Sequence, residues 1–200
     1  MAKFTKKLLP FTLTIVLLGA CSLLPKPAVE TRYMLSPVTQ DSSAAFAIPK
    51  VAKVLDVVRP QVPFELRSSK LALIKDKELT FYSDTAWSAP IPDMLQSALV
   101  RDLSAMVPGW IVTGTGNISR TVELQLEVHE FATIRDETGI YVVMNMDVQL
   151  IDPLKRTVVQ RLPYRYRAKL SELSIAATMQ AYNEGWQQLV RQVAAMVLVE

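Results

Sequence analysis

"VELQLEVH", residues 122–129, sets apolar and polar side chains in strict turn: Val122, Leu124, Leu126 and Val128 against Glu123, Gln125, Glu127 and His129. A period of two is the mark of a strand with one dry face and one wet face. The pattern recurs twice downstream. Ile140, Val142, Met144, Met146, Val148 and Leu150 alternate with Tyr141, Asn145, Asp147 and Gln149, and Leu162, Tyr164, Tyr166 and Ala168 alternate with Arg161, Arg165 and Arg167. Asp136-Glu-Thr-Gly139 and Asp152-Pro-Leu-Lys155 carry turn-forming residues between the runs. Successive half-buried strands joined by short turns form an antiparallel sheet. With the turns placed there, Asp147 is expected to face Arg161 across the second hairpin. Pro163 has no N–H to give to a ladder, so the third strand is expected to be an edge or to carry a bulge there.

A sheet that is apolar on one face needs a cover. Two segments have the period for it. Met94, Leu95, Ala98, Leu99, Leu103 and Met106 recur at helical spacing after Pro92, which suits a first turn, and Pro108-Gly109 stops the run. Ile175, Met179, Tyr182, Trp186, Leu189, Val193 and Met196 step by three and four along a single stripe. The expected fold is α+β: a two-layer domain, mainly antiparallel sheet, with two amphipathic helices packed on one face.

The remaining segments are shorter. Thr31 to Leu35 and the β-branched Lys50 to Val58 read as strands, separated by a small polar loop from Thr39 to Ala47. Leu71-Ala-Leu-Ile and Leu79-Thr-Phe-Tyr, joined by Lys75-Asp-Lys-Glu78, read as a hairpin. "TAWSAPIP", residues 85–92, is expected to be irregular because of Pro90 and Pro92, and Trp110-Ile-Val begins a short strand. "TGTGN", residues 113–117, is glycine-rich, but a strand pattern follows it where a phosphate cradle would open a helix, so it reads as a loop.

The amino terminus has a different character. Lys3, Lys6 and Lys7 precede an apolar run from Leu8 to Leu18, followed by the small residues Gly19 and Ala20. This is the layout of an export signal and is too short to span a bilayer. Next comes Cys21, the one cysteine of the chain. Leu18-Gly19-Ala20-Cys21 resembles a bacterial lipobox. That resemblance implies cleavage before Cys21 and acylation of its thiol, and Ser22 implies sorting to the outer membrane. More than one acyl chain makes an anchor stable. The alternative is an ordinary cleaved signal that leaves Cys21 as a free thiol or an intermolecular disulfide partner. The expected organisation is a signal peptide over 1–20, an anchor and tether over 21–30, and one periplasmic domain over 31–200. Extended, Ser22 to Glu30 reaches at most about 30 Å.

Charge excludes one class of function. The 22 Lys and Arg residues exceed the 19 acids by three, and the three lysines of the first twenty residues account for that excess. The remainder is balanced, without the footprint of a nucleic-acid binder. Catalytic signals are thin. His129 is the sole histidine and no G-x-S-x-G elbow occurs. Glu123 and Glu127 share a strand face as potential paired carboxylates, with Arg161, Arg165 and Arg167 expected to balance them. No cofactor or metal is expected. Met94, Met106, Met144, Met146, Met179 and Met196 fall on core faces, although methionines can also line an adaptable groove. Trp87, in a loop that opens a helix, is either a core plug or an interface anchor. Together with Pro90 and Trp110 it makes a candidate partner interface.

Beyond the lipobox, "RYML" (32–35), "WSAP" (87–90) and "LSAMVPGWIV" (103–112) carry a wider resemblance. The chain resembles the auxiliary lipoproteins of ABC-type lipid transport systems that work with MCE-domain proteins. The resemblance implies a non-enzymatic component on the periplasmic face of the outer membrane that docks the MCE partner during phospholipid transport. Two rival readings stand beside it: a lipid-anchored envelope hydrolase using His129 or Glu123 and Glu127, and a structural or assembly lipoprotein that binds peptidoglycan or an outer-membrane protein. A homo-oligomeric ring would use the edge near Pro163 and an exposed Trp87.

Overall fold

The computed structural model describes residues 30–38, 53–116 and 119–199. The export signal, Cys21, the tether up to residue 29, the 39–47 loop, residues 50–52 and Asn117 lie outside the described residues.

The alternating runs form β6 (Val122–Asp136), β7 (Gly139–Asp152) and β8 (Thr157–Leu170), paired antiparallel in sequence order. Leu124, Leu126 and Val128 of β6 lie opposite Leu150, Val148 and Met146 of β7, all buried. The register then slips between Val128 and Glu130, which leaves His129 as a bulge. Beyond it the phase reverses, and Phe131 and Thr133 face the core opposite Met144 and Val142. One extra residue turns every later side chain to the other face. Asp147 lies opposite Pro163 and not Arg161, which pairs with Gln149, so the expected register was off by two. Among the described strands β8 pairs with β7 alone, so Pro163 does sit on an edge.

The other flank of β6 is parallel. Both β2 (Lys53–Val57) and β3 (Lys70–Lys75) run parallel to it, and β5 (Trp110–Thr113) runs parallel to β2. The expected hairpin is present as β3 and β4 (Glu78–Trp87), closed by Asp76 and Lys77 at φ 51° and 70°, the left-handed pair of a tight hairpin turn. Thr85–Trp87 are strand and not irregular, because Pro90 and Pro92 lie beyond the last laddered residue. These three residues pair in parallel with β1 (Thr31–Tyr33). The result is an eight-stranded mixed sheet whose long antiparallel strands dominate.

Helices α1 (Ile91–Met106) and α2 (Ile175–Leu198) cover one face of this sheet. α1 packs on β2 and β5, α2 on β7 and β8, and the helices touch each other. Pro92 stands in the first turn of α1, where its missing N–H is not needed. Ser174 caps α2 by accepting the Ala177 N–H at 3.2 Å. Trp186 of α2 donates to Asp102 of α1 at 2.7 Å. Gly185 lets α2 approach the sheet closely: a Cβ there would lie 2.6 Å from Met144 Sδ and 2.7 Å from the Tyr166 ring. At the centre, Trp87, Phe131 and Tyr182 stack with ring centroids 4.7–5.4 Å apart.

Candidate functional site: the helix-free face of the sheet

The face away from the helices is polar because β6, β7 and β8 each send their second set of side chains there. Glu123, Gln125, Glu127 and Glu130 come from β6, Asn145, Asp147 and Gln149 from β7, and Arg161, Arg165 and Arg167 from the edge strand. Asp147 is the hub. Its carboxylate accepts from Arg161 Nη2 at 2.6 Å diagonally across the hairpin and from Arg165 Nη1 at 3.3 Å, with His129 Nε2 3.6 Å away. The hydrogen bond from Arg161 holds the Asp147 carboxyl below the usual carboxylate range, against an opposing push from burial. Glu123 pairs with Arg120 at 2.8 Å, and Arg167 leans toward Asp136 at 3.4 Å. The edge arginines therefore serve Asp147 and Asp136, and not the expected Glu123 and Glu127.

Residues 58–67 build the wall of a cleft here. Val58 and Gln61 donate to the Leu124 and Leu126 carbonyls at 2.9 Å, Val128 returns a bond to Gln61 at 2.8 Å, and Pro60 and Pro63 turn the chain outward into a short 3-10 turn, Phe64–Leu66. Between this wall and the bulge opens a cleft of about 620 Å³, lined by Arg59, Gln61, Arg67, Glu127 and His129 among others. A smaller recess of about 80 Å³ shares Arg59, Gln61 and Glu127 with it and continues to Asp147 and Gln149. Arg59 is steered by Asp93 of α1 at 2.6 Å. Pro60 and Pro63 break regular structure, but nothing in the pattern of residues between them signals that the segment leans on β6.

The arrangement can bind polar and charged groups of either sign. For chemistry, His129 beside Asp147 is a base with an orienting carboxylate, yet no Ser, Thr or Cys lines either recess among the described residues. Glu123 and Glu127 share the face as expected, but Arg120 occupies Glu123. Among the described residues no group of three metal-ligating side chains converges.

The candidate interface residues separate. Trp87 is 1% exposed and stacks on Phe131 and Tyr182, so it is a core plug, and the expectation that it anchors a partner or lines a ring contact is corrected. Pro90 is exposed at the start of α1, and Trp110 is half-buried beyond its end with Lys53 Nζ 5.1 Å over its ring. A helix of sixteen residues, about 24 Å, keeps those two apart.

Comparison with known proteins adds to this geometry. The family model described as ABC-type transport auxiliary lipoprotein component matches residues 33–194. The chain belongs to that family. Protein XCC0632 from Xanthomonas campestris shares its fold, with a TM-score of 0.67 at 18% identity over 84% of this chain and 95% of that one. A second solved structure, of a protein described only as uncharacterized, reaches a TM-score of 0.63 at 21% identity over 76% of this chain and 96% of that one. No curated protein matches. Both likenesses establish the fold: this family member is α+β, with a mixed sheet under two helices. Among the described residues no helix is long and apolar enough to cross a membrane.

Proposed function

We propose that this transport auxiliary lipoprotein is anchored through acylated Cys21 on the periplasmic face of the outer membrane. There it docks an MCE-domain partner of an ABC-type phospholipid transport system. The observation that carries the reading is the family match over residues 33–194. The Leu18–Cys21 motif supports the anchor, and the open mixed-charge cleft beneath residues 58–67 supports binding over reaction. Crosslinking of intact envelopes followed by affinity purification should recover an MCE-domain protein, and mass spectrometry of the amino terminus should find a triacylated or diacylated Cys21. Recovery of peptidoglycan or an outer-membrane barrel instead would favour an assembly role.

The hydrolase reading rests on the His129–Asp147 contact. His129→Ala is expected to leave the barrier function of the envelope at the wild-type level, and loss of that function would revive it.

A further inference from the structure

One end of the molecule gathers several elements. β6 pairs Glu123 with Ile151, β2 pairs Leu55 with Val122, and Lys53 stands beside Trp110, so the β7–β8 turn, Lys53 and Trp110 share that end of the sheet. α2 runs to the same end. From the 2.6 Å bond between the Tyr164 hydroxyl and the Gly185 carbonyl, helix to Leu198 and strand back to Thr157 each cover about 20 Å. This end exposes Leu154, 92% accessible at the tip of the turn, together with Val158, Val159, Leu198 and Val199.

The turn is built to hold Leu154 out. The Asp152 carboxylate accepts the N–H groups of Leu154 at 2.9 Å and Lys155 at 3.0 Å, and its carbonyl accepts that of Arg156 at 2.8 Å. Arg156 closes the turn at φ 56°. Asp152 is the sole acid of the turn, and Lys155 Nζ meets it at 3.1 Å. Arg156 has no acidic partner among the described residues. The tip thus presents a fixed leucine followed directly by two cations. The β6–β7 turn at the far end of the sheet presents Asp136 and Glu137 instead.

We propose that the β7–β8 end rests on an anionic phospholipid surface, with Leu154 at the boundary of headgroups and acyl chains, Lys155 and Arg156 against the phosphates, and Trp110 at the rim. Charge complementarity selects the occupant. Separate apolar side chains flanked by long cations match an interface that is apolar below and negative above. A tip Leu between well-ordered turn bonds can enter that interface without reorganising the protein. The inference deepens the anchored reading, since Cys21 would hold the chain at the membrane while the tip orients it.

The test uses the full mature lipidated protein, in which an introduced cysteine is the sole free thiol. Leu154→Cys and, separately, Glu137→Cys are labelled with an environment-sensitive fluorophore and reconstituted into vesicles of phosphatidylethanolamine and phosphatidylglycerol, three to one, containing nitroxide lipid. The label at 154 is expected to shift blue and be quenched, and the label at 137 is not. Adding Lys155→Glu and Arg156→Glu is expected to lower the quenched population roughly tenfold. Equal behaviour of the two labels, or no quenching at 154, would overturn the proposal and leave that end to a protein partner. Flotation and the mass of the amino terminus report the anchor separately, so a failed anchor and a failed tip are told apart.

Discussion

Asp102 shows how one side chain can fasten three segments. It is 2% exposed, yet its two oxygens accept from Arg101 at 2.7 and 2.9 Å, from Trp186 at 2.7 Å and, more weakly, from the Val38 N–H at 3.4 Å. Asp102→Ala is expected to cost about 2–3 kcal/mol in chemical denaturation, chiefly because it leaves the Trp186 N–H buried and unpaired; the Arg101 guanidinium it releases is part-exposed and adds little. Trp186→Phe removes one bond with its donor and is expected to cost less. Asp147 makes a second prediction, in pH. Its folded carboxyl titrates below its unfolded value because Arg161 bonds the ionised form. The stabilisation is therefore present above the ordinary carboxylate range, about pH 4, and is lost as pH falls through the folded value. Asp147→Asn should narrow the difference in urea midpoint between pH 7 and pH 3, with the loss falling at pH 7. An unchanged difference would remove Asp147 from the acid limb.

The elements divide by how much of their signal is local. β6 to β8 and both helices were legible because each repeats one period over many residues and shows its dry face directly. The bulge at His129 was not, since Phe131 and Thr133 continue the strand in the opposite phase and only pairing with Met144 and Val142 reveals the slip. For Trp87 the prolines that follow hide the end of β4, so the sequence alone leaves core plug and interface anchor both open, and its burial decides for the core. Gly185 was also silent. Glycine within a helix costs about 1 kcal/mol against alanine, and here close approach to Met144 and Tyr166 requires it. Gly185→Ala is expected to destabilise by about 1–2 kcal/mol net, overpacking outweighing the gain in helix propensity; a stabilised variant would mean that α2 can lift from the sheet freely. β8 carries its own protection. A fourteen-residue edge invites pairing, but Pro163 and the row Arg161, Arg165, Arg167 and Lys169 blunt it. Pro163→Thr is expected to increase concentration-dependent association in light scattering, where the wild type shows less at the same concentration.

At the scale of the whole molecule, sequence patterning decided the layers but not the neighbours. The alternation in β6 states that one face is dry; it does not state that β2 and β3 flank the strand in parallel, because such pairings join residues far apart in the chain and leave no local trace. What unites these distant pieces is a single buried cluster built from β2 to β4, β6 to β8 and both helices, with Tyr33 of β1 and Trp110 and Val112 of β5 packed against it. The strongest test lies at its centre. Trp87 comes from β4 and Trp186 from α2, and the Trp87 ring meets the edge of Tyr182 of α2 at 5.1 Å. Tyr182 in turn lies 4.7 Å from Phe131 of β6, so β4 cannot leave without exposing α2 and the meander. Were the β1–β4 side a separate unit, it could melt early while β6 to β8 held. The shared aromatic cluster forbids that, because opening it would strip apolar surface from both sides together. Variants that keep only Trp87 or only Trp186, the other two tryptophans replaced by Phe, are therefore expected to give fluorescence transitions in urea that each coincide with the far-ultraviolet circular dichroism of the same variant. A Trp87 signal that changes well before the circular dichroism would divide the molecule into two folding units.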